Sequence, residues 1–338
     1  MTKLSLNTDI AIIGAGPAGL FAAFECNMLK MNCVLIDALR NVGGQCSALY
    51  PEKPIFDIPA HPSITAQSLI DSLEKQIEPF SVPRLLSQTV IKIEGEKNNF
   101  LLTTHTEDSI QTKAVFIAAG AGSFGPNRPP LENIEIFEEG GCIHYYVRHS
   151  EQFTGQDIVI AGGGDSAVDW ALALKDKAKS ITLIHRRDRF RATPESIHRL
   201  DSAVLEQKII KEVPFQLHKL HGEKGKLNSI DIISSDKTIK SLKADHLLAF
   251  FGLTSDLTPL STSGLDIQQN RIPVTPATCQ TNIEGIYAIG DIASYPGKLK
   301  LILQGFSEAA LASHAAYSVV FPNTALHFEH STSLGISS

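Results

Sequence analysis

Twice along the chain a run of apolar residues ends in a cluster of glycines, and apolar residues at helical spacing follow. Residues 9–20, DIAIIGAGPAGL, pass through Gly14, Gly16 and Gly19 and lead into LFAAFECNML. Residues 157–168, DIVIAGGGDSAV, repeat the order with Gly162, Gly164 and, in the third place, Ala167. An apolar run bounded by glycine predicts a buried strand, and the helical period after it predicts a helix. A second apolar run follows in each case, NCVLID at 32–37 and SITLIH at 180–185. The pattern therefore predicts strand, turn, helix and strand, twice.

Further apolar runs close each half: KAVFIAAGAG at 113–122 and DHLLAFFGL at 245–253, both ending in glycine. Between them lie alternating stretches, TVIKIEG with FLLTTH and QLHKLHG with SIDIISS, which predict small antiparallel meanders. After the second half come another strand, GIYAIGD at 285–291, and a long helix within LILQGFSEAALASHAAYSVV at 301–320. That order predicts an α/β fold of two Rossmann-type dinucleotide-binding domains, one inserted into the other. Residues 1–120 and 255–338 make the first and 121–254 the second, with the Gly/Pro-rich GAGSFGPNRPP at one of two crossings that serve as a hinge.

The duplication carries the chemistry. One GxGxxG string is weak evidence, but strand, turn, helix and second strand in order, twice, is the spacing a dinucleotide fold demands. One glycine permits the tight turn, one admits the pyrophosphate and the third lets helix and strand pack closely. The helix N-terminus offers free N–H groups and partial positive charge to the phosphates. Two such sites imply two nucleotides. In the first half the second strand ends at Asp37, where a carboxylate accepts hydrogen bonds from an adenosine ribose and repels a 2'-phosphate, which suits FAD or NAD. In the second half the same place reads HRRDRFR, with His185 where the acid would stand and Arg186, Arg187 and Arg191 around it. Guanidinium forks match phosphate oxygens bidentately, so this site is expected to take the 2'-phosphate of NADP.

Charge and cysteine usage narrow the classes. A net charge of −6 argues against a nucleic-acid partner, since phosphate binding needs a broad basic surface. No apolar run has the length needed to span a bilayer, and the break in the N-terminal apolar stretch speaks against a secretory signal, so a cytoplasmic protein is expected. The five cysteines, Cys26, Cys33, Cys46, Cys142 and Cys279, form no Cys-x-x-Cys pair and suit neither a disulfide scaffold nor a metal site.

With GAGPAGL, GGQ, GGGDSA, HRRDxFRA and a late Gly-Asp in order, the chain resembles the low-molecular-weight thioredoxin reductases over its whole length. The flavin disulfide reductases place a dithiol at one of two positions. Counting five residues on from Cys46 gives Pro51, and the stretch EEGGCIHYYVRHS offers Cys142 alone. With neither dithiol present, electrons are expected to leave from the flavin itself. GGQCSALYPEKPIFDIP and the tail HFEHSTSLG resemble the thioredoxin-reductase-like ferredoxin–NADP reductases, which lack the thiols.

That resemblance implies FAD held by Gly14, Gly16, Pro17, Ala18, Gly19 and Asp37, by Gly44, Gln45 and Tyr50, and by Val90, Phe124 and Asp291. Tyr50 would stack on one flavin face and His330 cover the other, with Ser331 and Thr332 near N5; composition alone would make this tail a frayed terminus. Asp57 is expected beside the flavin or in a structural role. NADP would be held by Gly162, Gly164, Asp165, Ser166 and Ala167, with His185, Arg186, Arg187 and Arg191. The implied activity is hydride transfer between NADPH and FAD, then single-electron exchange with ferredoxin or flavodoxin, in a homodimer. A quinone or ferric-chelate reductase is the alternative enzyme, and a redox sensor holding FAD and NADPH without turnover the alternative outside enzymes. Lys298 and Lys300, just after the Gly-Asp, are either a docking patch for the acidic carrier or ordinary surface lysines.

Overall fold

The computed structural model describes residues 3–120, 122–261 and 263–326, with the backbone alone at 123–126, 253–256, 258 and 259. The chain divides into two compact units, residues 1–124 with 255–338, and residues 125–254.

The first unit is built on a seven-stranded sheet. At its centre Ser5–Ile13 and Ser109–Ile117 run parallel, from Ser5 opposite Ser109 to Ile13 opposite Ile117. Cys33–Asp37 and then Arg84–Leu86 extend the sheet in parallel on one side. Parallel strands covered on both faces require unbroken apolar runs, and Ile10, Ile12, Leu35 and Ile36 are wholly buried. The other edge of Ser109–Ile117 is shared. Its polar first half pairs antiparallel with Asn99–Thr104, which returns to Val90–Glu96, and its apolar last residues pair in parallel with Ile286–Ala288. The hairpin is also why the strand starts at Ser109, ahead of the apolar run.

Helix Pro17–Met28 follows the first strand and packs against Ile302–Val320, the helix expected from the apolar stretch near the C-terminus. Ala309, Ala312 and Ala316 are wholly buried, and their small side chains let the two helices approach closely. The rings of Phe21 and Phe306 meet across that contact at 5.1 Å. Helix Ala66–Ile77 was not foreseen, although Leu69, Ile70, Leu73 and Ile77 stand at helical spacing. Its start is a capping turn, in which Thr65 Oγ1 accepts a hydrogen bond from the Ser68 N–H at 3.1 Å.

The second unit carries a five-stranded sheet in the order Ile143–His144, His246–Phe250, Asp157–Gly162, Ser180–Ile184, Ile210–Glu212, parallel throughout. Helices Asp165–Leu174 and Pro194–Leu205 belong to this unit. A three-stranded antiparallel meander, Phe215–Glu223, Lys226–Ser234 and Ile239–Lys243, completes it. The two crossings, Ser123–Pro126 and Leu253–Asp256, pair with each other as a two-stranded ribbon. Among the described residues no helix is long and apolar enough to cross a membrane.

Candidate cofactor sites

In the first unit a cavity of about 320 Å³ opens at the C-terminal ends of the parallel strands, the place where open α/β sheets bind ligands. The first glycine turn forms its floor, through Gly14, Gly16, Pro17 and Ala18. Gly14 has φ +110°, and a side chain there would put its Cβ 2.3 Å from the Ala118 carbonyl oxygen. Gly19 does not line the cavity; a Cβ on it would lie 1.9 Å from the Gly14 carbonyl oxygen, so it is the packing glycine of the turn. The Gly-Gly-Gln segment closes over this turn: the Gly43 N–H donates to the Ala15 carbonyl at 2.7 Å, and Gly44 and Gln45 join the lining. A Cβ on Gly44 would stand 3.1 Å from the Gly16 Cα, so the two backbones form a cradle that side chains would fill.

Asp37 closes one end and is 9 % exposed. Its Oδ2 accepts the Ala15 N–H at 2.6 Å and its Oδ1 the Leu39 N–H at 2.7 Å. Burial raises its pKa, and these two bonds oppose that by favouring the carboxylate. It is neither a surface residue nor a helix cap. Val90 lines the cavity beside Gln88 and Thr89, which sequence reading had not singled out.

Cys46, Tyr50 and Asp291 also line the cavity. Cys46 Sγ lies 3.9 Å from Tyr50 Oη, and the thiol, pushed up to about 11 chiefly by burial, is protonated at neutral pH. All five cysteines are free, so no disulfide stands against this cavity. Burial also raises the Tyr50 phenol.

Behind Asp291 lies a group that the sequence reading placed wrongly. Lys298 is neither a docking nor a surface lysine: its side chain is 4 % exposed and pairs with Glu308, itself 1 % exposed. Glu308 Oε2 accepts the Gly290 N–H at 2.7 Å and Oε1 the Tyr295 hydroxyl at 2.5 Å, while Gln304 Nε2 donates to that hydroxyl at 2.8 Å. This network ties the Gly290–Asp291 turn to helix Ile302–Val320, whose first residues Ile302 and Gly305 line the cavity. The signal was a lone carboxylate in the apolar stretch FSEAALA, next to which a burial partner had to exist. Lys300 is exposed.

Asp57, expected beside the flavin or in a structural role, is exposed and does not line the cavity. The backbone of Phe124 lies in the ribbon strand Ser123–Pro126, and its side chain is outside the described residues. His330, Ser331 and Thr332 also lie outside the described residues.

In the second unit the glycine turn and the arginine segment form one assembly. Ala167 and Gly162 provide close packing, as a Cβ on Gly162 would stand 2.9 Å from the Ala167 Cβ. The His185 ring packs directly beneath Gly163, where a Cβ would fall 2.1 Å from its Cε1, and stacks at a tilt on Phe190 at 5.2 Å. Burial, then the charges of Arg186, Arg187 and Arg191, lower its pKa, so it is a neutral support for the turn. The Arg191 N–H donates to the Gly163 carbonyl at 2.7 Å, and the Thr193 N–H donates to Asp165 Oδ1 at 3.0 Å. Asp165, Ser166, Arg186, Arg187 and Arg191 are exposed around the open N-terminus of helix Asp165–Leu174, where nothing would meet a Cβ on Gly164.

The residues of both sites suit dinucleotides: a glycine turn at a helix N-terminus in each, a buried carboxylate at the end of the second strand in one and exposed guanidinium groups in the other. Comparison with known proteins gives the same direction. The family model described as pyridine nucleotide-disulphide oxidoreductase matches residues 8–316. The ferredoxin–NADP reductase of Gluconobacter oxydans is 57% identical over 332 residues, covering 98% of each chain. That of Gluconacetobacter diazotrophicus is 58% identical over 98% of this chain and 97% of its own. Among solved structures, Lactococcus lactis thioredoxin reductase in its FR conformation is 26% identical, with a TM-score of 0.79 over 93% of this chain and 99% of its own.

Proposed function

The chain belongs to the pyridine nucleotide-disulphide oxidoreductase family, and from that premise we propose that it is an FAD-dependent ferredoxin–NADP(+) reductase. Its full-length relatives at 57% and 58% identity carry that name. The observation that carries the reading within this chain is the flavin-site cavity with a single protonated thiol, Cys46, in its wall and no disulfide beside it. A disulfide reductase needs a dithiol there or at the Cys142 stretch, which offers a single free thiol; a reductase of one-electron carriers needs neither.

FAD, when bound in the first unit, supplies the conversion between two-electron hydride chemistry and single-electron steps. The chain's own residues bind and orient. Asp37 would take the adenosine ribose, the cradle of Gly14, Gly16 and Gly44 would admit the pyrophosphate, and Asp291 would hold the ribityl chain. Tyr50, in the cavity wall, would hold one face of the ring system, and His330, Ser331 and Thr332, outside the described residues, are the candidates for the other. In the second unit Gly162, Gly164 and Ser166 receive the NADPH pyrophosphate, and Arg186, Arg187 and Arg191 its 2'-phosphate. No side-chain acid or base is required for the hydride itself, so the contribution is one of positioning and electrostatics. Ferredoxin or flavodoxin is the carrier partner, and the protein is assigned to the cytoplasm as a homodimer.

The test is a visible spectrum recorded before and after anaerobic NADPH, followed by turnover with the cell's own ferredoxin, flavodoxin and a small neutral quinone. Rapid flavin bleaching and faster turnover with a carrier protein than with quinone are expected. Absent bleaching would leave a sensor that binds without turnover, and a faster quinone reaction would leave a quinone reductase.

A further inference from the structure

The arginines that face the NADPH site sit on a loop whose two ends are fixed to the glycine turn. At the start, the His185 ring is wedged beneath Gly163, with no room for even a Cβ between them. At the end, the Arg191 N–H donates to the Gly163 carbonyl at 2.7 Å, and Gly164 and Arg191 form a parallel bridge. Two residues on, the Thr193 N–H donates to Asp165 Oδ1 at 3.0 Å. Thr193 then caps helix Pro194–Leu205, its Oγ1 accepting the Ser196 N–H, so the same residue ends the loop and starts the helix. Between the anchors only Phe190 is buried, and Arg186, Arg187 and Arg189 are exposed.

Asp165 therefore stands in an odd position for a coenzyme ligand. It is the first residue of helix Asp165–Leu174, where the helix dipole favours an acid, yet a carboxylate at the place reserved for a pyrophosphate repels it. Its Oδ1 is already engaged with the backbone of the arginine segment. We propose that Asp165 is a positioning residue for coenzyme choice: it holds Thr193, and through Thr193 the loop that presents the guanidinium groups, without binding the coenzyme. This rests on the reading of the second unit as the NADPH site. A loop ordered before the coenzyme arrives spares the ordering cost at binding, and that gain falls only on ligands carrying the phosphate the loop recognises. Selectivity is thus shared between the arginines and the acid that sits on the glycine turn opposite them.

The experiment measures, by titration calorimetry on the FAD-loaded protein, binding of 2',5'-ADP, which carries the extra phosphate, and of 5'-AMP, which lacks it. Asp165→Ala removes the acceptor, and Asp165→Asn keeps an oxygen for the Thr193 N–H while removing the charge. Asp165→Ala is expected to weaken 2',5'-ADP about tenfold, as for loss of a hydrogen bond to a charged group, with 5'-AMP within about twofold and Asp165→Asn close to the parent. The kcat/KM ratio of NADPH to NADH should fall in parallel, with the flavin spectrum unchanged. Equal weakening of both nucleotides by Asp165→Ala would make Asp165 a direct contact and overturn the proposal. Tighter 2',5'-ADP binding in both variants would reduce it to a repulsive charge, and Asp165→Asn failing as badly as Asp165→Ala would also overturn it. A parent protein without preference for 2',5'-ADP would instead refute the NADPH reading itself.

Discussion

Lys298 and Glu308 form an ion pair in the interior of the first unit, their side chains 4 % and 1 % exposed. The carboxylate also receives the Gly290 N–H and the Tyr295 hydroxyl, so its oxygens are fully engaged at the turn that carries Asp291 into the cavity. Removing one partner of such a pair strands a buried charge, at a cost of about 3 to 5 kcal/mol. Lys298→Met is therefore expected to lower the denaturation midpoint sharply and to loosen the flavin. Lys298→Met with Glu308→Gln should recover much of the stability. Chemical denaturation and flavin release on gel filtration measure both; a single variant as stable as the parent would show that the pair is not needed.

Coenzyme preference is the most direct test of the second site. Replacing Arg186 and Arg187 together by Ala removes two forks of donors that a 2'-phosphate would engage. Charge-assisted hydrogen bonds contribute about 1.5 to 3 kcal/mol each, so NADPH efficiency should fall on the order of a hundredfold or more. NADH efficiency should change little, and steady-state kcat/KM with the two coenzymes reads the difference.

The thiols are expected to be dispensable. Cys46 is held protonated at neutral pH by burial and Cys142 is buried with its Sγ 3.3 Å from the Gly225 carbonyl oxygen. Cys46→Ser with Cys142→Ser should keep ferredoxin reduction within a few-fold, at a packing cost of roughly 1 to 2 kcal/mol. Loss of turnover in a variant that retains its flavin would mean that sulfur carries electrons after all.

Acid should weaken the second unit earlier than the first. His144 Nε2 and His246 Nδ1 lie 3.0 Å apart, both against the Phe153 ring. Burial and then the neighbouring His246 lower the His144 pKa from 6.5 to about 4. Burial lowers His246 too, against the pull of Asp245. A base whose folded pKa lies below its unfolded one contributes stability above the unfolded value and loses it as pH falls. The loss therefore begins near pH 6.5 and runs through pH 4, on the order of 2 to 3 kcal/mol for His144. Melting temperatures across this range should flatten in His144→Gln.

What could be read from the sequence was what is local along the chain. Gly14, Gly16 and Asp37 meet at one cavity end because strand, turn and helix fix them within a single supersecondary unit, whose register the apolar runs disclose. The arginine segment was legible for the same reason, since it follows the second strand of its unit directly. Lys298 was misread because its burial depends on Glu308 reaching back from within a helix, a tertiary fact no local pattern encodes. Tyr295 and Gln304 were missed with it. For Asp57 the sequence left a place beside the flavin and a structural role both open, and nearness in sequence to Tyr50 does not bring it into the cavity lining, because the hairpin Pro54–Ile55 with Ile64–Thr65 carries its loop out to solvent.

The shared edge of Ser109–Ile117 bears on how the chain is made. Its apolar end pairs with Ile286–Ala288, and Pro17–Met28 packs on Ile302–Val320. Both partners leave the ribosome only after the whole of residues 125–254 has been synthesised. The inserted unit is contiguous, so it is able to finish folding first, while the earlier unit waits with an apolar strand edge and helix face uncovered. Such an edge is a template for pairing with other chains, and the long-range contacts that cover it are slow to form. During synthesis the hazard of misassociation therefore lies with the unit that begins the chain, and it ends when helix Ile302–Val320 docks.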